Sequence, residues 1–361
     1  MKQCDILEIV NLRAEKSTFR IRWQLTNLCN YQCAFCIQGN PQMHAEYAKG
    51  ENADTRRQIV LALVKLFEEL EGYEQIIVQL IGGEVTVLPD LPEILEALAG
   101  SRFKGNIHFQ MHTNFSKPAE YYCDLCDVVR RYDSAENQRS IHISASFYSA
   151  YTSNADFSAK LRKVSNHMRI SNYAQLLKRK QAGNRDDVTD KRLSLLKKPC
   201  LSIDAGYPLL KEEDIGSYKS MKSEFARTGT PVNPIFISKY RVDIDKSTLS
   251  ELIRQASNGK QGIQVLDSDG NVRQYYDLHS FGQSLEDRDG FCPKNFLCDA
   301  GIYNVTIDSS GNAMRCAMQK KGKGIGSLLD GSWQRHAKPQ LCMEERCYCA
   351  NFSVVRRAEK T

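Results

Sequence analysis

The sequence predicts an α/β fold, a parallel sheet covered by helices. Three observations carry that reading. Short, mostly apolar runs of strand length recur at Ile21–Leu25, Gln75–Ile81, Ile107–Met111 and Ser140–Ala145. Amphipathic segments of helix length lie between them, with Ile59, Leu63, Leu66 and Leu70 at helical spacing inside Asp54–Glu71. The repeat of strand, loop and helix is the pattern of parallel strands joined by helical crossovers.

In chain order, residues 1–20 read as a short edge segment, and the core begins at Ile21. A polar, irregular stretch, Ile37–Ala53, follows the first strand and its loop. The helix Asp54–Glu71 is closed by Gly72, and the strand Gln75–Ile81 runs into Gly82-Gly83-Glu84. Leu91–Leu98 reads as helix, Ile107–Met111 as a strand ending in His112-Thr113-Asn114, and Ala119–Arg131 as helix. After the strand Ser140–Ala145 come a helix over Asn154–Arg169 and a long polar link, Ser171–Lys198. Pro199–Leu210 is the next strand, Glu212–Arg227 a helix, and Val232–Ser238 a last strand whose Pro231 and Pro234 suit an edge. Residues 241–290 form a connector, with a hairpin at Ile263–Tyr275 turning on Asp269-Gly270. A second hairpin runs from Ile302–Ile307 through Asp308-Ser-Ser-Gly-Asn to Met314-Arg315-Cys316.

Composition bounds the function. The 361 residues leave ample chain for a core, and 42% hydrophobic with 25% charged residues is ordinary for a soluble protein. No apolar run reaches the length of a membrane span, and Met-Lys-Gln-Cys-Asp lacks the apolar region of a signal peptide. The expectation is a cytoplasmic protein with reduced thiols. Its 13 cysteines are an odd number and fall mostly into two groups, so they read as ligands and not disulfides. The net charge of +6 is concentrated between Lys178 and Lys198, where eight basic residues face three aspartates. That segment reads as a solvated insertion, or as a docking surface for an acidic partner. Few aromatics are interleaved with it, so nucleic acid is not the expected partner.

The first cysteine group is Cys29-x3-Cys33-x2-Cys36, on the loop after the first strand. Soft thiolates select zinc, Cu(I) or iron–sulfur. Three of them without a fourth would hold a cubane with one open iron. The spacing, with Phe35 before the last cysteine, resembles the signature of the radical S-adenosylmethionine (SAM) enzymes; a zinc knuckle is the alternative. The resemblance implies a partial (βα)6 TIM-like barrel over residues 21–240. It implies a 4Fe–4S cluster on Cys29, Cys33 and Cys36 that cleaves SAM to a 5′-deoxyadenosyl radical, which abstracts hydrogen from substrate. Gly82-Gly83-Glu84 resembles the motif whose backbone and acid hold the SAM amino group. Thr113-Asn114 stands at a second SAM-contacting strand end, with Phe115 where the family has glycine, and Ser144 at a third. Phe35, Gly82, Gly83, Glu84, Asn114 and Ser144 are therefore the expected cofactor contacts. Ser146 stands where the family often has aspartate.

The second group, Cys298, Cys316, Cys342, Cys347 and Cys349, lies in residues 291–361. A hairpin brings Cys298 and Cys316 together. The run Cys298-Asp-Ala-Gly301, Asp308, Gly311, Cys316 resembles the twitch or SPASM extensions that hold an auxiliary iron–sulfur cluster, 4Fe–4S or 2Fe–2S. A zinc ribbon is the alternative, and one of the five cysteines is spare. Cys123-x2-Cys126 reads as two buried thiols, and Cys200 as packing. The resemblance implies maturation of a ribosomally made peptide, or oxidation or rearrangement of a small molecule such as an aminocyclitol, nucleoside or amino acid. Implied partners are the substrate, an electron donor such as flavodoxin or ferredoxin, and a separate leader-peptide-binding protein for the peptide reading. A non-catalytic iron–sulfur or zinc protein is the contrasting class.

Overall fold

The computed structural model describes residues 6–9, 17–33, 36, 46, 48–134, 136–182, 200–236, 244–245, 247–248, 251–252, 263–275, 294, 296–317, 319, 324–344 and 354–357. Phe35, Cys292, Cys347, Cys349, most of the basic insertion and much of the connector lie outside the described residues. The chain divides into two units, Trp23–Asp243 and Met1–Arg22 with Ile244–Thr361.

In the first unit the elements alternate as the periodicity predicts. Strand β2 (Thr18–Thr26, which enters the unit at Trp23) is followed by α1 (Ala53–Glu69), β3 (Gln75–Gly82), α2 (Leu91–Ala99), β4 (Asn106–Thr113) and α3 (Ala119–Arg130). Then come β5 (Arg139–Ser146), α4 (Asn154–Ala182), β6 (Leu201–Leu209), α5 (Glu212–Ala226) and β7 (Val232–Phe236). The strand order is β2-β3-β4-β5-β6-β7, with β3 to β7 pairing in parallel. Six strands in sequential order, five followed by helices and with no pairing of β2 to β7, make the open, partial barrel. Pro234 lies in β7, at the free edge, where a missing N–H costs least.

Local chemistry explains the elements. Asn52 caps α1 by accepting from Thr55 N at 2.8 Å. The α1 stripe Ile59, Leu63, Leu66 and Phe67 is buried, each side chain worth about 1.5–3 kcal/mol when fully buried. Arg56 then clamps α1 to the start of α2 through two bonds to Asp90, at 2.8 and 2.9 Å. At the opposite end of the strands, buried Arg139 donates to the carbonyls of Ala99, Gly105 and Phe103 at 2.8–2.9 Å. One guanidinium thereby satisfies a whole turn.

One expectation needs correction. The helix starting at Asn154 does not stop at Arg169 but continues to Ala182, through the first part of the supposed polar link. Ser171–Ala182 contains neither Gly nor Pro and is rich in Ala, Leu, Lys, Arg and Gln, all good helix formers. Asn172 fixes the extension by a two-way bond with the Leu201 backbone, at 2.8 and 3.1 Å.

The second unit contains β1 (Ile6–Ile9), which pairs with the hairpin β8 (Ile263–Asp267) and β9 (Val272–Tyr275). Strand β10 (Phe296–Cys298) lies between β14 (Gln340–Leu341) and β15 (Val354–Arg357). The hairpin β11 (Asn304–Ile307) and β12 (Asn312–Met314) turns at Gly311, whose φ of 83° suits glycine, and β13 (Gly326–Ser327) extends it. Arg20 N, in the first half of β2, donates to Tyr303 O at 2.9 Å. The described residues after 291 form strands and turns, and no helix is among them. No described helix is long and apolar enough to cross a membrane.

Candidate metal and cofactor site

The C-terminal ends of β2 to β5 carry the site. Cys29, Cys33 and Cys36 lie half-buried on the loop after β2. Burial raises the Cys29 thiol; Glu84 and Cys36 raise it further, against the opposing hydrogen bond from Tyr31 N. Cys33 is pushed up to about 11, by burial and then by Cys29 and Cys36. Cys29 and Cys33 thus feel the charge of the neighbouring thiols.

The loop is rooted on the glycine motif. Gly83 N donates to Thr26 O at 2.9 Å, and Glu84 N to Leu28 O at 2.7 Å. A Cβ on Gly82 would stand 2.4 Å from Thr26 O, and one on Gly83 2.1 Å from Leu28 O. The two glycines are needed here for close backbone approach, and the partner is the cysteine loop itself.

Glu84 is held within the protein. Its carboxylate is 1% exposed. It accepts from Thr86 N (3.0 Å), Thr86 Oγ1 (2.6 Å), Thr113 Oγ1 (2.8 Å) and Asn114 N. Burial pushes the carboxyl up, and these donors oppose that. Glu84 thereby ties the end of β3 to the end of β4, with three of these bonds on Oε1 and one on Oε2. Asn114 is likewise engaged: its Nδ2 donates to Asn30 Oδ1 at 2.8 Å, and its Oδ1 accepts from Ser116 N at 3.1 Å. It braces the cysteine loop. Phe115 occupies the glycine position with φ of 58°, a conformation costing about 1–2 kcal/mol. Its ring packs on Tyr122 and Phe157, and its carbonyl accepts from Lys160 Nζ at 2.7 Å. Ser144 is half-exposed on the inner face of β5.

Several residues were missed from sequence. Glu51 accepts from Thr26 Oγ1 (2.6 Å), Asn27 N (2.8 Å) and Asn27 Nδ2 (2.6 Å), latching the turn before Cys29. It sits in a polar run that carries no signature. Tyr31, between Cys29 and Cys33, stacks on Tyr151 at 3.9 Å and meets Tyr148 edge-on at 6.1 Å. Tyr151 Oη accepts from Gln32 N at 2.6 Å. The loop after β5 therefore clasps the cysteine loop. The pair Tyr148-x2-Tyr151 was the available signal.

Residues 23–166 match the radical SAM superfamily. The match spans less than half of the chain. A curated relative, GTP 3′,8-cyclase of Synechococcus elongatus, is 32% identical over 82 residues, 22% of this chain and 22% of the relative's length. The chain therefore matches about a fifth of that relative. Two solved structures are similar at 12% identity: native anSMEcpe with bound AdoMet and Cp18Cys peptide (TM-score 0.47, 87% of this chain and 78% of that one) and native anSMEcpe with bound AdoMet (0.45, 87% and 79%).

A radical SAM domain implies a 4Fe–4S cluster and SAM. Among the described residues no three Cys, His, Asp or Glu side chains converge on a single ion. A cubane needs another arrangement, with one thiolate at each of three irons. Three half-buried thiols on one braced loop fit it. Bound metal supplies the positive charge that inverts those shifts.

In the second unit Cys298, Cys316 and Cys342 cluster around Ala300, all buried. Burial raises the Cys342 thiol, and Arg315 opposes this. Cys347 and Cys349 lie outside the described residues. Cys126 is fully buried and Cys123 partly, on α3, as expected of packing thiols. Cys200 Sγ accepts from Gln138 Nε2 at 3.1 Å.

Proposed function

We propose that the protein is a radical SAM enzyme whose SAM-cleaving cluster is held by Cys29, Cys33 and Cys36. A 4Fe–4S cluster with SAM would supply a 5′-deoxyadenosyl radical that abstracts hydrogen from substrate. The observation that supports this best is the bracing of the cysteine loop from three strand ends at once. Gly82, Gly83 and Glu84 root it on β3, Asn114 braces it from β4, and Tyr151 clasps it from beyond β5. Such bracing fixes three thiols without a metal, which is what preorganised binding asks for. Ser144 remains on the open face and is our candidate for direct SAM contact, with Phe35 beside the last cysteine. Gly82, Gly83, Glu84 and Asn114 place the loop and stay with Ser144 as our candidates for the SAM-binding surface.

We further infer that the buried thiols Cys298, Cys316 and Cys342 hold an auxiliary metal group, completed by Cys347 or Cys349. Arg315 partly offsets the rise that burial imposes on the Cys342 thiol. An iron–sulfur cluster makes this a twitch-like domain; zinc makes it a ribbon. The substrate is a peptide or a small molecule, and an electron donor such as flavodoxin or ferredoxin is required. Anaerobic reconstitution tests the assignment. The account expects more iron than one cubane contains, and an electron paramagnetic resonance signal that changes when SAM is added. A signal indifferent to SAM overturns it.

A further inference from the structure

Among the described residues, Arg56, Arg139 and Arg315 are buried arginines. A buried guanidinium needs a counter-charge or a set of acceptors. Arg56 has the Asp90 carboxylate, at 2.8 and 2.9 Å. Arg139 has three carbonyls, at 2.8–2.9 Å. Arg315 has neither. Among the described residues its guanidinium meets one acceptor, Leu341 O, at 3.2 Å from Nη1, and no carboxylate pairs with it.

Arg315 is nonetheless fixed in place. Its N donates to Gln319 Oε1 at 2.9 Å, and its O accepts from Asn304 Nδ2 at 2.8 Å. A Cβ added to Gly301 would stand 3.0 Å from Arg315 Cβ, so the turn after Cys298 packs directly on it. Arg315 precedes Cys316, and its one acceptor, Leu341, precedes Cys342. The buried cation is thus strapped to the buried cluster of Cys298, Cys316 and Cys342. Burial raises the Cys342 thiol, and the Glu344 backbone N–H and the Arg315 guanidinium oppose it. Burial and Arg315 hold His336 below the usual histidine range, so that ring adds no charge.

We propose that Arg315 is the built-in counter-charge of the tail metal group, a positioning residue that matches this place to an anionic thiolate–metal group. The inference rests on the reading of Cys298, Cys316 and Cys342 as ligands. Three or four thiolates on a divalent zinc ion, or on an iron–sulfur cubane, leave net negative charge. Buried charge is costly unless it is paired, and the groups around a metal's ligands tune its affinity. An anionic group beside Arg315 satisfies both sides at once. It accounts for a buried cation that has no carboxylate partner.

The test uses the full chain carrying Cys29→Ala, Cys33→Ala and Cys36→Ala, so that bound metal reports the tail alone. This parent is loaded with zinc, and separately with iron and sulfide without oxygen. Metal retained against a graded chelator is measured, with thermal melts of the loaded and metal-free protein. Arg315→Gln keeps an N–H donor and removes the charge, whereas Arg315→Lys keeps the charge. Arg315→Gln should weaken metal retention about tenfold or more, and Arg315→Lys should preserve most of it. The metal-free melt of Arg315→Gln should equal or exceed the parent's, because the cation it removes has no counter-charge there. Its loaded melt should fall below the parent's. Equal retention by the parent and Arg315→Gln overturns the proposal. So does equal weakening by Gln and Lys, or a fall of the metal-free melt as large as that of the loaded one, since Arg315 then only braces Leu341 O. A parent that holds no tail metal overturns the ligand reading itself, and with it the proposal, a result that the metal count separates from the others.

Discussion

Gly83→Ala puts the account of the cysteine loop under direct strain. The new Cβ would stand 2.1 Å from Leu28 O, and real Cβ contacts respect at least 3.0 Å, so the strands must part by about 0.9 Å. The obstacle is backbone, which cannot rotate away. Opening it weakens the bonds from Gly83 N to Thr26 O and from Glu84 N to Leu28 O, at 2.9 and 2.7 Å. Each is worth about 0.5–1.5 kcal/mol and the overpacking about 1–3 kcal/mol, roughly 2–6 kcal/mol in all. Leu28 adjoins Cys29, so the displacement falls on the first thiolate. The assay is iron per chain after anaerobic reconstitution, with a thermal melt of the same sample. We expect at least half the front-cluster iron to be lost, and the melt to move down. Gly216→Ala is the control: this exposed helical glycine has nothing within 4 Å of the added carbon, and alanine should stabilise the helix by about 1 kcal/mol. If Gly83→Ala keeps its full iron complement and its melting temperature, the glycines do not root the loop.

Glu84→Gln should cost about 1–3 kcal/mol, because its amide turns a donor toward the donors of Thr86, Thr113 and Asn114; an unchanged denaturant midpoint would refute the strut. Tyr151→Phe removes the acceptor for Gln32 N and should speed loss of the front cluster to a chelator, by about fivefold for about 1 kcal/mol. Arg139→Met leaves three well-bonded carbonyls without a donor and should lower stability by about 2–4 kcal/mol, read as a denaturant shift. Cys316→Ala should lower total bound metal, and mass spectrometry of wild type should identify that metal as iron or zinc; undiminished metal removes the tail thiols from any site.

Much of the fold was legible because the signals were local. Alternating strand and helix periods placed β3, α2, β4, α3 and β5 to within a residue or two. The helix α4 was cut short because its polar second half, read as linker, has no apolar stripe, yet propensity and the Asn172 clamp carry it on. At the site, the cysteine spacing was explicit. The protein partners of Glu84 and Asn114 were not, since a motif names residue types and not the side chains that meet them. The polar inner face had a signal in the strand itself. His108, Gln110 and His112 alternate with Ile107, Phe109 and Met111, and a strand dry on both faces would not alternate. Asp204 joins that face only through the register between β5 and β6, which no local pattern encodes.

The central claim is that three thiols on a braced loop support SAM cleavage. The direct measurement is 5′-deoxyadenosine formed from SAM by the reduced, reconstituted protein, compared with the variant carrying Cys29→Ala, Cys33→Ala and Cys36→Ala together. The account predicts slow, steady formation by wild type and none by the variant, with the variant folded by circular dichroism. Equal formation by both, or none by an iron-loaded wild type, would contradict it.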